Sequence, residues 1–100
     1  MSDISNFHKK SQELFPVLIQ YVPVVDRVHG EHHPEFHEVR RLFEVIHQKT
    51  NSSLNELPDL HLEFSQLKEI TQDYAIPNDV CETYEAVYGM LNQLESAFIK

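Results

Sequence analysis

The sequence predicts an all-α protein, an antiparallel up-down four-helix bundle. Three observations carry this expectation. Only two of the 100 residues are glycine. Apolar residues recur every three to four positions along most of the chain, the spacing of one helical face. The four segments that carry the repeat are joined by short links, which favours antiparallel neighbours. One hundred residues make a single domain, 1–100. A core of that size is modest, so metal, ligand or self-association can add to its stability.

The first segment carries Ile4, Phe7, Ser11, Leu14, Leu18, Tyr21, Val25 and Val28. Pro16 and Pro23 lie inside it, and each removes a helical hydrogen bond. The expectation is two helical pieces in one line, broken near Phe15–Pro16 and kinked again at Pro23. Gly30 is a natural stop. The second helix starts at Pro34, where a missing N–H costs nothing, and its stripe is Phe36, Val39, Leu42, Phe43 and Ile46. Residues 51–58, NSSLNELP, are the one linker-like run. The third helix carries Leu60, Phe64, Leu67, Thr71 and Tyr74 before the Ile76–Pro77 break. The fourth opens with Asp79 and Glu82 at capping-box spacing. Its stripe is Val80, Tyr84, Val87, Leu91, Leu94 and Phe98. Gly89 inside it costs about 1 kcal/mol relative to alanine, which suggests close packing of a neighbouring helix.

Composition narrows the function classes. Sixteen acidic against eight basic residues give a formal charge of -8, which argues against nucleic acid and against anionic membranes as partners. No apolar run approaches the length of a membrane span. The N-terminus has no apolar signal core, and one cysteine fits a reducing, cytoplasmic setting. A protein partner or a homodimer remains open.

Four histidines crowd the stretch HGEHHPEFH, residues 29–37. Two histidines four apart on a helix can share a metal ion, since neutral imidazole is a good ligand. His33–His37 and His29–His33 have that spacing, but Gly30 and Pro34 interrupt the helix between them. His32, His33 and His37 therefore read as solvated residues at a helix entrance. His29 borders the core stripe, and counting back in sevens gives Val22, Phe15 and His8. His8 and His29 thus share one flank. In a straight helix they stand about 31 Å apart, so they share a site only if the segment folds back at its prolines. Cys81, beside the stripe of the fourth helix, reads as a small core residue. Its use as a nucleophile needs a base, which His29 or His33 at the same end of the bundle is placed to supply.

The pieces VDRVHGEHHPEF and PNDVCETYEAVY, with LKEIT before the second, resemble the hemerythrin-like di-iron proteins of iron–sulfur cluster repair. The resemblance covers nearly the whole chain. It rests in its second half on Pro77, Val80, Cys81, Thr83, Tyr84 and Tyr88. It implies a hemerythrin-like bundle, a non-haem iron cofactor, di-iron in the family, and a role in mending clusters after nitrosative or oxidative damage. His8 matches the family's first ligand histidine, and His29, 21 residues on, its second. The next family ligands, a histidine and a bridging glutamate, fall on Ser53 and Leu57. Another histidine also falls on Leu57, with His61 one turn late; realignment through the linker brings His47 or His61 into reach. The family's last ligand pair falls after Phe98, past Lys100. The resulting metal-ligand set is His8, His29 and His61. Two expectations follow: an iron-binding member, and a degenerate metal-free bundle that serves as an interaction or accessory module.

Overall fold

A computed structural model describes residues 3–53 and 55–99, with side chains from Asn6 onward. It forms α1 (Asp3–His29), α2 (Glu35–Asn51), α3 (His61–Ile70) and α4 (Glu82–Ile99), with no strand among the described residues. The helices run alternately up and down. Phe7 near the start of α1 meets Phe98 near the end of α4, while His29 at the end of α1 meets Tyr84 in the first turn of α4. Phe15 of α1 packs on Phe43 of α2, Asp26 pairs with Arg40, and Phe64 of α3 touches both Phe7 and Phe98. The four-helix bundle expected from the apolar repeat is thus the observed architecture.

Helix α1 is a single run of 27 residues with both prolines inside it, so the expected break near Phe15–Pro16 does not occur. Each interior proline costs about 3 kcal/mol. Against this, α1 buries Phe7, Phe15, Leu18, Val22 and Val25, and each such side chain contributes roughly 1.5–3 kcal/mol. Burial wins, and the helix stays whole. Its core face differs from the expected stripe: Tyr21 is 36% and Val28 56% exposed, while Phe15 and Val22 are buried. The reason is geometric. A seven-residue repeat drifts about 20° per heptad around a straight helix of 3.6 residues per turn. The buried set Phe7, Ser11, Phe15, Leu18, Val22 and Val25 follows the 3.6-residue turn instead, so Leu14, Tyr21 and Val28 fall off its edge. The side chain of Ile4, placed in the same stripe, lies outside the described side chains.

Helix α2 starts one residue after Pro34, which is itself helical (φ -62°), and its whole expected stripe is buried. The link from α1 is tight. The backbone N–H of Gly30 donates to the Asp26 carbonyl (2.9 Å), and the N–H groups of His32 and His33 to that of His29. Thr50 closes the last turn of α2 by donating to the Ile46 carbonyl at 2.7 Å.

Helix α3 ends at Ile70, earlier than the repeat suggests. Gln72, Asp73 and Tyr74 then take left-handed backbone angles, with φ of 54°, 62° and 62°. Three such non-glycine residues in a row cost about 1–2 kcal/mol each. They persist because the turn is over-determined. The Asp73 N–H donates to the Lys68 carbonyl (2.7 Å) and the Ala75 N–H to that of Thr71 (3.1 Å). The Thr71 hydroxyl donates to the Leu67 carbonyl and accepts from the Tyr74 N–H. The turn folds Tyr74 back against Tyr88, so Thr71 and Tyr74 are buried as expected without being helical.

Helix α4 opens at Glu82 rather than Asp79, whose carboxylate is taken by His33 instead of capping the helix. Tyr84, Val87, Leu91, Leu94 and Phe98 are buried as expected, and Tyr88 and Ala97 join them. Gly89 does not admit a neighbouring helix: a β-carbon there meets nothing within 4 Å. Among the described residues no helix is long and apolar enough to cross a membrane.

The two glycines therefore respond oppositely to alanine. Gly89→Ala stabilises the fold by about 1 kcal/mol, since it gains helix propensity into open space. Gly30→Ala destabilises it by about 1–3 kcal/mol, because the new β-carbon sits against the Asp26 carbonyl oxygen and 2.7 Å from His37 Cε1. Urea denaturation of the two variants measures both signs.

Candidate functional site

The unbroken α1 determines where the candidate ligands stand. His8 lies at the end of the bundle where Phe7 meets Phe98, with its Nε2 2.9 Å from the Glu56 carbonyl oxygen. His61 lies at the same end. Its ring edge is packed on Phe98, its Nδ1 is 3.2 Å from Asp59 Oδ1, and its side chain is 80% exposed. His29 lies at the opposite end, with its Nε2 3.2 Å from Cys81 Sγ and its ring edge on Tyr84. Along one helix, His8 and His29 stand about 31 Å apart. His47, the other histidine within reach of a realigned linker, stacks on Phe43 and meets Phe15 edge-on.

The space between these ends is packed side chain. Phe36 lies 5.2 Å from Tyr84 and is stacked 6.2 Å from Tyr88, by ring centroids. The hydroxyls of Tyr84 and Tyr88 are 2.9 Å apart. Both tyrosines are buried, and desolvation pushes both phenols above their ordinary pKa. They are neutral, one donating and one accepting. The pair satisfies itself without a cation.

A di-iron centre needs several carboxylates and imidazoles converging from four helices. Among the described residues no three His, Cys, Asp or Glu side chains gather closely enough to hold a metal ion. The core-facing positions of α2, α3 and α4 are apolar or tyrosine, apart from Thr50 and Glu63. Glu63 Oε2 pairs with Lys49 Nζ at 2.8 Å, and its buried Oε1 has no partner and no imidazole or second carboxylate gathered around it. The residues present do not fit a di-iron centre in this arrangement.

What does converge is a polar cluster where α1, α2 and α4 meet. His33 is mostly covered, with Nε2 2.9 Å from Asp79 Oδ1 and Nδ1 3.2 Å from Glu35 Oε2. Beside it, Asp26 Oδ2 of α1 accepts from Arg40 Nη1 at 3.2 Å, and His37 Nδ1 of α2 stands 2.6 Å from Asp26 Oδ1. Two of the three residues expected to be solvated, His33 and His37, thus fasten α1, α2 and the entry to α4. His32 and His37 are both exposed, as expected, and only His33 departs from the solvated reading. Cys81, expected in the core, is exposed, because α4 begins one residue after it. It does lie beside His29, as the shared bundle end implied. Besides the local Glu35, the partners of His33 and His37 are Asp79 and Asp26, 46 and 11 residues away, beyond any local sequence pattern.

With this geometry established, the comparisons with known proteins narrow the field. An iron–sulfur cluster repair protein, ScdA of Staphylococcus haemolyticus, is 27% identical over 122 aligned positions, covering 91% of this chain and 55% of the relative. The chain is distantly similar to an iron–sulfur cluster repair protein. It spans about half the length of that relative. No family model and no solved structure matches it.

The His33 cluster has a defined pH response. Burial lowers the His33 pKa, but hydrogen bonds and charge from Asp79 and Glu35 outweigh it, leaving the pKa above 6.5. The Asp79 pKa is held below 3.8, chiefly by the His33 hydrogen bond. A raised histidine contributes stability that is complete below its unfolded pKa and is lost as pH rises through its folded one. A depressed aspartate contributes above its unfolded pKa and loses it as pH falls through its folded one. The clasp is therefore strongest near pH 5–6 and weakens toward pH 8. Chemical denaturation across this range should show that loss in the native chain and a flatter profile in His33→Gln.

Proposed function

We propose that this protein is a divergent, hemerythrin-like relative of the iron–sulfur cluster repair proteins that works as a metal-free interaction or accessory module in nitrosative or oxidative stress. The relation to cluster repair is supported by the similarity to ScdA and by the paired motifs around His29 and Cys81. The observation that carries the metal-free reading is the separation of His8 from His29 along an unbroken α1. No fold-back at the prolines brings them together. His61 stands with His8 but points out beside Asp59. An accessory role is further supported by α1 itself, which leaves Tyr21, Val24 and Val28 exposed.

The test is metal content. Protein made in iron-rich medium, purified without a histidine tag and then loaded anaerobically with ferrous iron, should retain far less than stoichiometric iron after desalting. His8→Ala, His29→Ala and His61→Ala should not change that residue of metal. Stoichiometric iron that disappears in these variants would overturn the reading and restore a di-iron role.

A further inference from the structure

Helix α1 has two apolar rows. One, through Phe7, Leu18, Val22 and Val25, is buried in the bundle. The other runs Leu14, Val17, Tyr21, Val24 and Val28, spaced 3-4-3-4, the a/d pattern of a helix seam. Leu14 and Val17 are half-buried, and Tyr21, Val24 and Val28 are 36%, 41% and 56% exposed. The row continues from Lys10, which lines a shallow groove with Asn92, Gln93 and Ser96 of α4. From that groove, helical spacing carries the α4 side back through Gly89 and Ala86. Gly89 is exposed with nothing near it, and Ala86 is half-buried. The apolar row is thus bordered by a low wall that lets another helix approach.

The charges beside the row identify what fits there. Glu13 and Arg27 are both exposed, flank the row on one side, and are 14 residues apart, two heptads, with Gln20 midway. Turned end for end about Gln20, the pattern is complementary to itself. Acidic and basic residues balance on α1 and on α2, so the -8 charge lies elsewhere, largely on the 55–79 segment and α4. Two copies can therefore meet on this face without opposing their main acidic surfaces.

We propose that this protein self-associates as a two-fold dimer through antiparallel packing of α1 on the α1 of a second copy. The dimer centres on Gln20–Tyr21, with Glu13 of each copy beside Arg27 of the other. The face is a single helix row, and interfaces burying less than roughly 1,200 Å² in total belong to weak, transient complexes. The dimer is therefore concentration-dependent, with a Kd of about 1–100 μM. This inference deepens the interaction-module reading and names its partner. That reading fails on iron content, whereas the dimer fails on sedimentation, so the two failures are distinguishable.

Sedimentation equilibrium of the full chain from about 5 to 500 μM, spanning that Kd, is the test, with circular dichroism confirming that each variant folds. The native chain should pass from monomer to dimer. Val24→Asp, on an exposed position, should leave the fold intact and abolish association. Glu13→Arg and Arg27→Glu should each weaken it about ten-fold by placing like charges together, and the double reversal should restore it. A native chain that stays monomeric throughout overturns the proposal. So does a dimer insensitive to Val24→Asp, or one that the double reversal fails to rescue. Higher oligomers, which a closed two-fold face does not make, also overturn it.

Discussion

Helix α1 runs without a break from Asp3 to His29, and α4 lies along it in the opposite sense. That contact is the constraint on which the rest depends. It fixes Phe7 against Phe98 at one end and His29 against Tyr84 at the other. Once the two prolines are absorbed into a straight helix, every residue of α1 has a set height and direction. Phe15 and Val22 turn inward, Tyr21 and Val28 turn outward, and His8 and His29 go to opposite ends. The cost of two interior prolines is modest beside the apolar area that one long helix buries. The alternative, a fold-back that would join the two histidines, surrenders that burial.

The bundle axis is filled by the same logic. Where a metal-binding bundle places imidazoles and carboxylates, this chain places Phe36, Tyr84 and Tyr88, and the two phenols satisfy one another. Desolvation keeps both protonated, so neither offers a phenolate to a cation. The polar groups that do converge sit at the rim, in the clusters of His33 with Asp79 and Glu35 and of Asp26 with His37 and Arg40. They join elements across the α1–α2 corner and stop there. Within HGEHHPEFH, His33 thus ties the α1–α2 corner to the entry of α4.

Much of this was legible in the sequence. Val80 lies before α4 and is half-buried, but the stripe of α2, that of α4 from Tyr84 onward and the stop at Gly30 follow from local spacing, and the structure realises them. So does the nearness of Cys81 to His29, since an up-down bundle brings the end of α1 to the start of α4. Three things were not legible. The rotation of the α1 core face depends on whether the prolines break the helix, a contest between local cost and total burial that no local pattern displays. The left-handed turn at Gln72–Tyr74 has no glycine to announce it and is held by Thr71 and by Tyr74 packing on Tyr88. The partners of His33 and His37 come from other elements, so their role is visible only once the helices are packed.

The central claim is that packing, not metal, completes this bundle, and linkage tests it most directly. A ligand that binds the native state raises the unfolding midpoint, by an amount that grows with the logarithm of its concentration over its Kd. Thermal unfolding of the metal-stripped chain, followed by circular dichroism with and without anaerobic ferrous iron, should give the same cooperative transition in both conditions. A rise of several degrees on adding iron, abolished in His29→Ala, would contradict the account.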